Sequence, residues 1–292
     1  MTTMMRTATL ASARRALKEL LAQNGIESAE ADARLLIAHA LDVERTTVMT
    51  HGERALTIGE IEKIDALAAR RVSHEPVARI IGVKEFWSLP LSVNAHVLVP
   101  RPETETVVEL ALDSVAGDGT RLEELRILDI GTGSGALVLA LLKELEHATG
   151  VAADISAEAL LVARGNAERL GLAPRCHFVN CDIAAGLKGP FDLIVSNPPY
   201  IARGEIAGLD PDVRDFDPVV ALDGGLDGLD CYRAIATEAR RLLAPGGLVA
   251  VELGAGQETA VRRLFTDAGL TARESRPDLA GISRAVSASL AP

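Results

Sequence analysis

Aromatic side chains are scarce in this 292-residue chain: five Phe, two Tyr and one Trp, 3% of the whole. Its core must therefore be built from Leu, Val, Ile and Ala, and Phe86 with the lone Trp87 reads as packing. Cysteine is scarcer still. Cys176, Cys181 and Cys231 form neither a CxxC pair nor a His-spaced set, which excludes a disulfide framework and a zinc site; no metal is expected. No run approaches the roughly 18 charge-free apolar residues of a membrane span. Residues 1–15 lack the uninterrupted apolar stretch and cleavage site of a secretion signal. The expected location is cytoplasmic, with no membrane partner. Basic charge is also short: 30 Lys and Arg face 41 Asp and Glu, a net charge of −11. Neutralising a phosphate backbone takes clustered Lys and Arg. Here they are scattered, so a direct nucleic-acid partner is not expected, whereas a basic protein partner is compatible.

What the chain does have is apolar content, 48% of residues. A chain of this length buries about 75% of its unfolded surface. Residues 1–80 read as a small helical bundle. Leu10, Ala13, Leu17, Leu20 and Leu21 recur at helical spacing, with Gly25 as the stop. Ser28 is placed to cap a second helix carrying Leu35, Leu36 and Leu41. Thr57 with Glu60 makes a capping box ahead of Ile61, Ile64, Leu67 and Ala68. Residues 81–100 read as a hairpin linker, and Glu103 to Val115 as a helix. From residue 126 strands and helices alternate: strands at 126–130, 151–153, 177–179, 191–195 and 248–253, with helices at 136–145, 156–170, 232–243 and 256–268. Pro245-Gly246-Gly247 is expected to stop the last but one helix before its strand. This alternation with short loops predicts an α/β fold with a doubly wound, mostly parallel sheet. Strands near 270–274 and 282–287, joined without a helix, predict an antiparallel strand at the sheet edge.

Two loops at strand ends carry chemistry. The first is Asp129-Ile130-Gly131-Thr132-Gly133-Ser134-Gly135. Its glycines let the backbone turn tightly and let a ligand approach it. They alternate, unlike the G-x-G-x-x-G of dinucleotide folds, leaving less provision for a pyrophosphate. Asp154 ends the second strand, where a carboxylate can accept two ribose hydroxyls. Asp182 follows the third strand and can receive an adenine amino group, with Ile183 packing on the ring.

The second loop is Asn197-Pro198-Pro199-Tyr200, after the apolar run Phe191 to Val195. Two prolines fix two φ angles and remove two donors. The Asn197 amide both accepts and donates. Its oxygen and the stiff Pro198 carbonyl can together grip an –NH2 group through both hydrogens. Tyr200 is expected to form a wall or aid positioning.

Together these features resemble the S-adenosylmethionine-dependent methyltransferase (Rossmann-like) fold. The resemblance places Gly131, Thr132, Gly133, Ser134 and Gly135 against the cofactor, Asp154 on its ribose, and Asp182 and Ile183 at its adenine, with Asn197 close by. The second loop is similar to the [D/N]-P-P-[Y/F/W] motif of amino-methyltransferases. Glu75-Pro76-Val77-Ala78, Glu85-Phe86-Trp87, Leu98 to Glu105 (with Arg-Pro-Glu-Thr-Glu) and Ala221-Leu222-Asp223-Gly224-Gly225 resemble the peptide-chain release factor glutamine N5-methyltransferases over nearly the whole chain. That resemblance implies methyl transfer to the glutamine of a Gly-Gly-Gln loop, with release factors as protein partners. It implies domains at 1–80 (helical, substrate recognition), 81–100 (hairpin linker) and 101–292 (catalytic). Asn197, Pro198 and Tyr200 are the implied catalytic residues, and Asn197 to Tyr200 the substrate-binding ones. In this reading Asn197 Nδ2 donates to the glutamine carbonyl. Arg101 and Glu103 order a roof over the cofactor, and the Asp- and Gly-rich stretch 201–231 walls the cleft. One departure is Ile183, where some members carry an aromatic. The alternative is N-methylation of exocyclic amines of DNA or RNA bases; a nicotinamide oxidoreductase and a non-catalytic adaptor fit less well. With no His or Glu next to residues 197–200 in sequence, no dedicated general base is expected.

Overall fold

The computed structural model describes residues 9–117, 124–278 and 280–291, and the chain divides into two compact units. The first comprises the chain up to Gly82 together with Pro211–Phe216. It contains α1 (Leu10–Gln23), α2 (Ala29–Leu41), α3 (Arg45–Thr50), α4 (Ile58–Val72) and α5 (Val77–Ile81). Its core is aliphatic, with Leu10, Leu21, Leu36 and Ile37 fully buried. The Thr57–Glu60 capping box forms: the Thr57 hydroxyl accepts from the Glu60 N–H, and the Glu60 carboxylate accepts from the Thr57 N–H. Ser28, by contrast, makes no side-chain cap on α2. Its hydroxyl donates to Asp32, a buried carboxylate that outcompetes the helix end. Asp32 pairs with buried Arg71 at 2.8 Å, and Arg71 also pairs with Asp212 at 2.8 Å. Ile81, expected to open the hairpin linker, instead ends α5, which stops at Gly82 in the left-handed region.

The second unit begins with the hairpin β1 (Val83–Phe86) and β2 (Leu89–Ser92), then α6 (Glu105–Gly117) after a turn at Pro102–Thr104. It continues through β3 (Arg126–Ile130), α7 (Ala136–Glu144), β4 (Thr149–Asp154), α8 (Ala157–Arg169), β5 (Cys176–Asn180) and β6 (Phe191–Ser196). The short α9 (Pro211–Arg214) falls in the segment grouped with the helical unit. Then follow α10 (Asp230–Leu242), β7 (Leu243–Glu252), α11 (Glu258–Asp267), β8 (Thr271–Pro277) and β9 (Ser283–Ser289).

The described strands form a sheet of order β5-β4-β3-β6-β7-β9-β8. β3 to β7 are parallel, and β9 runs antiparallel to both β7 and the edge strand β8. This is the doubly wound sheet with an antiparallel addition that the alternation predicts. Two apolar layers cover its faces. One gathers Phe86, Leu91, Leu110, Ile127 and the inner side of α7; the other gathers Leu128, Ile194, Tyr232, Val249 and Phe265. Each fully buried Leu, Ile or Phe contributes about 1.5–3 kcal/mol to folding. β7 starts at Leu243 and carries Pro245-Gly246-Gly247 inside it, with an irregular register opposite Phe191–Leu193. The expected break is thus a bulge, a device that admits Pro and Gly into a strand.

β3 and β6 lie side by side while their continuations wind outward in opposite directions. That is the topological switch point, and its carboxyl ends form a crevice. The Ser196 hydroxyl donates to the Ile130 carbonyl at 2.7 Å, tying the two strands at that crevice.

Candidate active site

A cavity opens at these strand ends, and both predicted loops line it. Gly131, Thr132, Gly133 and Ser134 form one side. Asp154, Asp182 and Ile183 line it from the ends of β4 and β5; Asn197, Pro198 and Pro199 come from the end of β6. Gly131 and Gly133 have φ of +70° and +54°, and a Cβ built on either would meet nothing within 4 Å. Their α-hydrogens therefore border free space that a ligand could fill. Gly135 differs: it is the N-cap of α7, where a Cβ would press on Leu139 of α7 at 2.9 Å and on Ala163 of α8 at 3.4 Å, so it leaves room for close packing between the start of α7 and α8. It does not line the cavity.

Asp154 is already half engaged. Its Oδ2 accepts from the Gly133 N–H at 2.8 Å and its Oδ1 from the Ser156 N–H at 2.9 Å. These bonds fix both the carboxylate and the glycine loop. Asn180 Nδ2 donates to the Asp154 and Ile155 carbonyls, holding the end of β4. Ile183 sits at φ +51°, costly for a β-branched residue.

Asp129 is a site feature that the sequence reading left unassigned. It lies 1% exposed at the end of β3 and lines the cavity. Burial pushes its carboxyl up to about 7, against the Thr132 hydroxyl and Val138 N–H that donate to Oδ2. Oδ1 has no partner. With Asp154, Asp182 and Asp223, four aspartates line a cavity that has no Lys or Arg among its described lining residues. Such a site suits a cation and repels a phosphate.

The Asn197 amide is oriented by Thr104. Nδ2 donates to Thr104 Oγ1 at 3.1 Å, which commits one amide hydrogen within the chain. Thr104 is 3% exposed and comes from the turn before α6, 93 residues earlier in sequence. Pro198 and Pro199 border the cavity, but Tyr200 does not. Its ring packs against the apolar layer of α10 and β7, its hydroxyl donates to Glu252 Oε1 at 3.2 Å, and its carbonyl accepts from Gln257 Nε2 at 2.9 Å. Burial, then Glu252, raises the Tyr200 phenol above its ordinary range. Glu252 is 2% exposed at the end of β7, and burial pushes its carboxyl up to about 7. A carboxylate therefore does approach residues 197–200, from 52 positions further on, though it does not line the cavity.

Within the stretch 201–231, Pro218, Val220, Ala221 and Asp223 line the cavity. A bridge between Ile201 and Asp223 and the Arg203–Asp223 pair at 2.9 Å shape this loop. Arg101 pairs at 2.7 Å with Asp217, whose side chain is fully buried. Neither Arg101 nor Glu103 lines the cavity; Pro100 and Thr104 do.

Two family models match the chain. The PrmC N-terminal domain matches residues 12–82, and a methyltransferase domain matches residues 122–272. A release factor glutamine methyltransferase of Bradyrhizobium diazoefficiens is 51% identical over 282 residues, covering 96% of this chain and 95% of the relative. One from Caulobacter vibrioides is 44% identical, covering 96% of each. The chain belongs to the release factor glutamine methyltransferase family. Solved structures share the fold at lower identity. The hMettl16 catalytic domain aligns with a TM-score of 0.59 at 15% identity, over 74% of this chain and 82% of that one. A methyltransferase from Pyrococcus furiosus aligns at 0.50 and 19% identity, over 70% and 90%. No described helix of this family member is long and apolar enough to cross a membrane.

Proposed function

We propose that the chain transfers the methyl group of S-adenosylmethionine to the side-chain amide nitrogen of the glutamine in the Gly-Gly-Gln loop of peptide-chain release factors. The observation that carries this reading is the orientation of Asn197. With Nδ2 donating to Thr104, Oδ1 is the amide atom left to accept beside the Pro198 carbonyl. Two acceptors side by side fit the two hydrogens of a planar carboxamide –NH2. The acidic lining fits S-adenosylmethionine, whose sulfonium and ammonium are both cationic. Gly131 and Gly133 would border it, Asp154 and Asp182 would hold ribose and adenine, and the unpartnered Asp129 Oδ1 supplies a further acceptor.

S-adenosylmethionine supplies a strongly electrophilic methyl group. The chain must present a poor nucleophile, an amide nitrogen whose lone pair is delocalised. Asn197 Oδ1 and the Pro198 carbonyl would hold both N–H bonds, aim the nitrogen and stabilise positive charge as it grows there. Orientation supplies up to about 7–11 kcal/mol of a barrier, and a preorganised polar contact about 3–4 kcal/mol. No lining carboxylate is hydrogen-bonded to the Asn197–Tyr200 loop, and Glu252 lies behind Tyr200; the transfer needs no dedicated base. The helical unit is assigned to gripping the release factor, residues 201–231 to walling the cleft, and the enzyme to the cytoplasm. The test supplies methyl-labelled S-adenosylmethionine with release factor, tRNA or DNA in separate reactions. Label on the release factor alone is expected; label on nucleic acid but not on the factor overturns the reading.

A further inference from the structure

We infer that Asn166, a residue outside the cavity, latches two of its walls to each other and so sets the shape in which the cavity takes its cofactor. This rests on the reading of the cavity as the S-adenosylmethionine site and adds a positioning residue that neither loop motif contains.

Asn166 lies on α8 and is fully buried. A carboxamide offers two hydrogens and an accepting oxygen, and burying them unpaired is costly. Here all are used. Nδ2 donates to the Ser134 carbonyl at 2.8 Å and to the Ser92 carbonyl at 3.2 Å. Oδ1 accepts from the Ser92 N–H at 2.8 Å and from the Arg169 guanidinium, three residues further along α8. The amide is thereby held in one orientation, since the two carbonyls only accept and the Ser92 N–H only donates. The two serines belong to different walls. Ser134 lies in the glycine loop and lines the cavity. Ser92 ends β2; the chain then turns at Asn94, whose Oδ1 accepts from the His96 N–H at 2.9 Å, and brings His96, Val97 and Leu98 to the cavity. The glycine loop needs such a tie. Gly131, Gly133 and Gly135 all sit at positive φ, and glycine moves between conformations more freely than any other residue. On the β4 side the loop is held by the Ala153 carbonyl, which accepts from the Gly131 and Thr132 N–H groups, and by Asp154, which accepts from the Gly133 N–H. Asn166 holds it from α8 and joins it to the end of the hairpin through the same side chain. A cofactor entering between these walls meets them already set, which spares the entropy of ordering them on binding.

The test compares wild type, Asn166→Asp, Asn166→Ala and Val286→Ala in the full chain, by hydrogen exchange without cofactor and by calorimetric titration with S-adenosylmethionine. Aspartate keeps the shape and the accepting oxygen but sets a carboxylate against two carbonyls. Alanine removes the latch without adding charge, and carries the test if the aspartate variant does not fold. Val286 is buried in β9 and does not line the cavity, so Val286→Ala controls for a general loss of stability. In both Asn166 variants segments 92–98 and 131–138 should exchange faster together, by about tenfold, while 191–196 keeps its wild-type protection. Cofactor affinity should fall about 10- to 100-fold in Asn166→Asp and about five- to tenfold in Asn166→Ala, because the binding-competent arrangement of the walls becomes a minor one. Val286→Ala should keep affinity within about threefold of wild type. The latch is overturned if a folded Asn166 variant binds the cofactor within about threefold of wild type. Loosening of one segment without the other, or a loss of affinity in Val286→Ala equal to that in Asn166→Ala, overturns it equally. If the wild type binds no S-adenosylmethionine, the reading of the cavity is wrong, and the joint exchange of the two segments still decides the latch.

Discussion

At the scale of single residues, Asn197 carries the most weight. Asn197→Ala should lower methyl transfer by about 10²–10³-fold, the usual loss for one preorganised polar contact, while cofactor affinity measured by calorimetry stays close to wild type. Glu252 makes a second prediction, in stability. Its folded pKa of about 7 lies above the ordinary 4.5, with burial as the main cause. Folding therefore favours the protonated carboxyl, and this contribution is full below about pH 4.5 and lost as pH rises through about 7. The neutral variant Glu252→Gln should escape that loss. Its unfolding free energy relative to wild type should be more favourable at pH 8 than at pH 4.5, by up to about 3 kcal/mol (2.5 pKa units at 1.36 kcal/mol each). Urea titrations at the two pH values check this; a difference independent of pH would contradict it. The residues of both loops were legible because each pattern lies within a few consecutive residues, with glycines supplying conformations other residues avoid and prolines restricting φ. Thr104, Asp129 and Glu252 were not read for their roles. A Thr 93 residues from its partner and a Glu 52 residues from its own leave no local pattern.

At the scale of elements, the helices and strands with two or more turns or a full apolar run were readable from period alone. Thr57–Glu60 could be named as a cap because all its parts lie within four residues. The helices α3 and α5, of six and five residues, are too short to show a period. Pro245-Gly246-Gly247 misled because a strand bulge tolerates the same residues as a turn. Ser28 misled because Asp32, made a buried acceptor by Arg71, takes its hydroxyl. That ion pair joins residues 39 apart and gives the third prediction. Arg71→Ala should destabilise the helical unit by about 3–5 kcal/mol, since it strands a buried carboxylate. Thr57→Ala should cost only about 1 kcal/mol, the usual worth of an N-cap. Thermal or denaturant unfolding of the full chain ranks the two, and an equal cost would contradict the assignment.

At the scale of the whole molecule, strand–helix alternation was enough to foresee a doubly wound sheet, and the loops sit at its switch point. What alternation could not give is the membership of Pro211–Phe216, which the chain lends from the middle of the 201–231 stretch to the helical unit. That is a property of contacts at long range. The cavity itself tests the account of the cofactor. Gly133→Ala places a side chain where only free space exists, at φ +54°. It should weaken S-adenosylmethionine binding about tenfold or more through strain and lost room.

The most direct measurement is tandem mass spectrometry of a full-length release factor after incubation with this enzyme and S-adenosylmethionine. One methyl group on the amide of the glutamine in Gly-Gly-Gln is expected, absent when Asn197→Ala replaces the wild type. A methyl group on any other side chain, or an unmodified factor beside a methylated nucleic acid, would contradict the account.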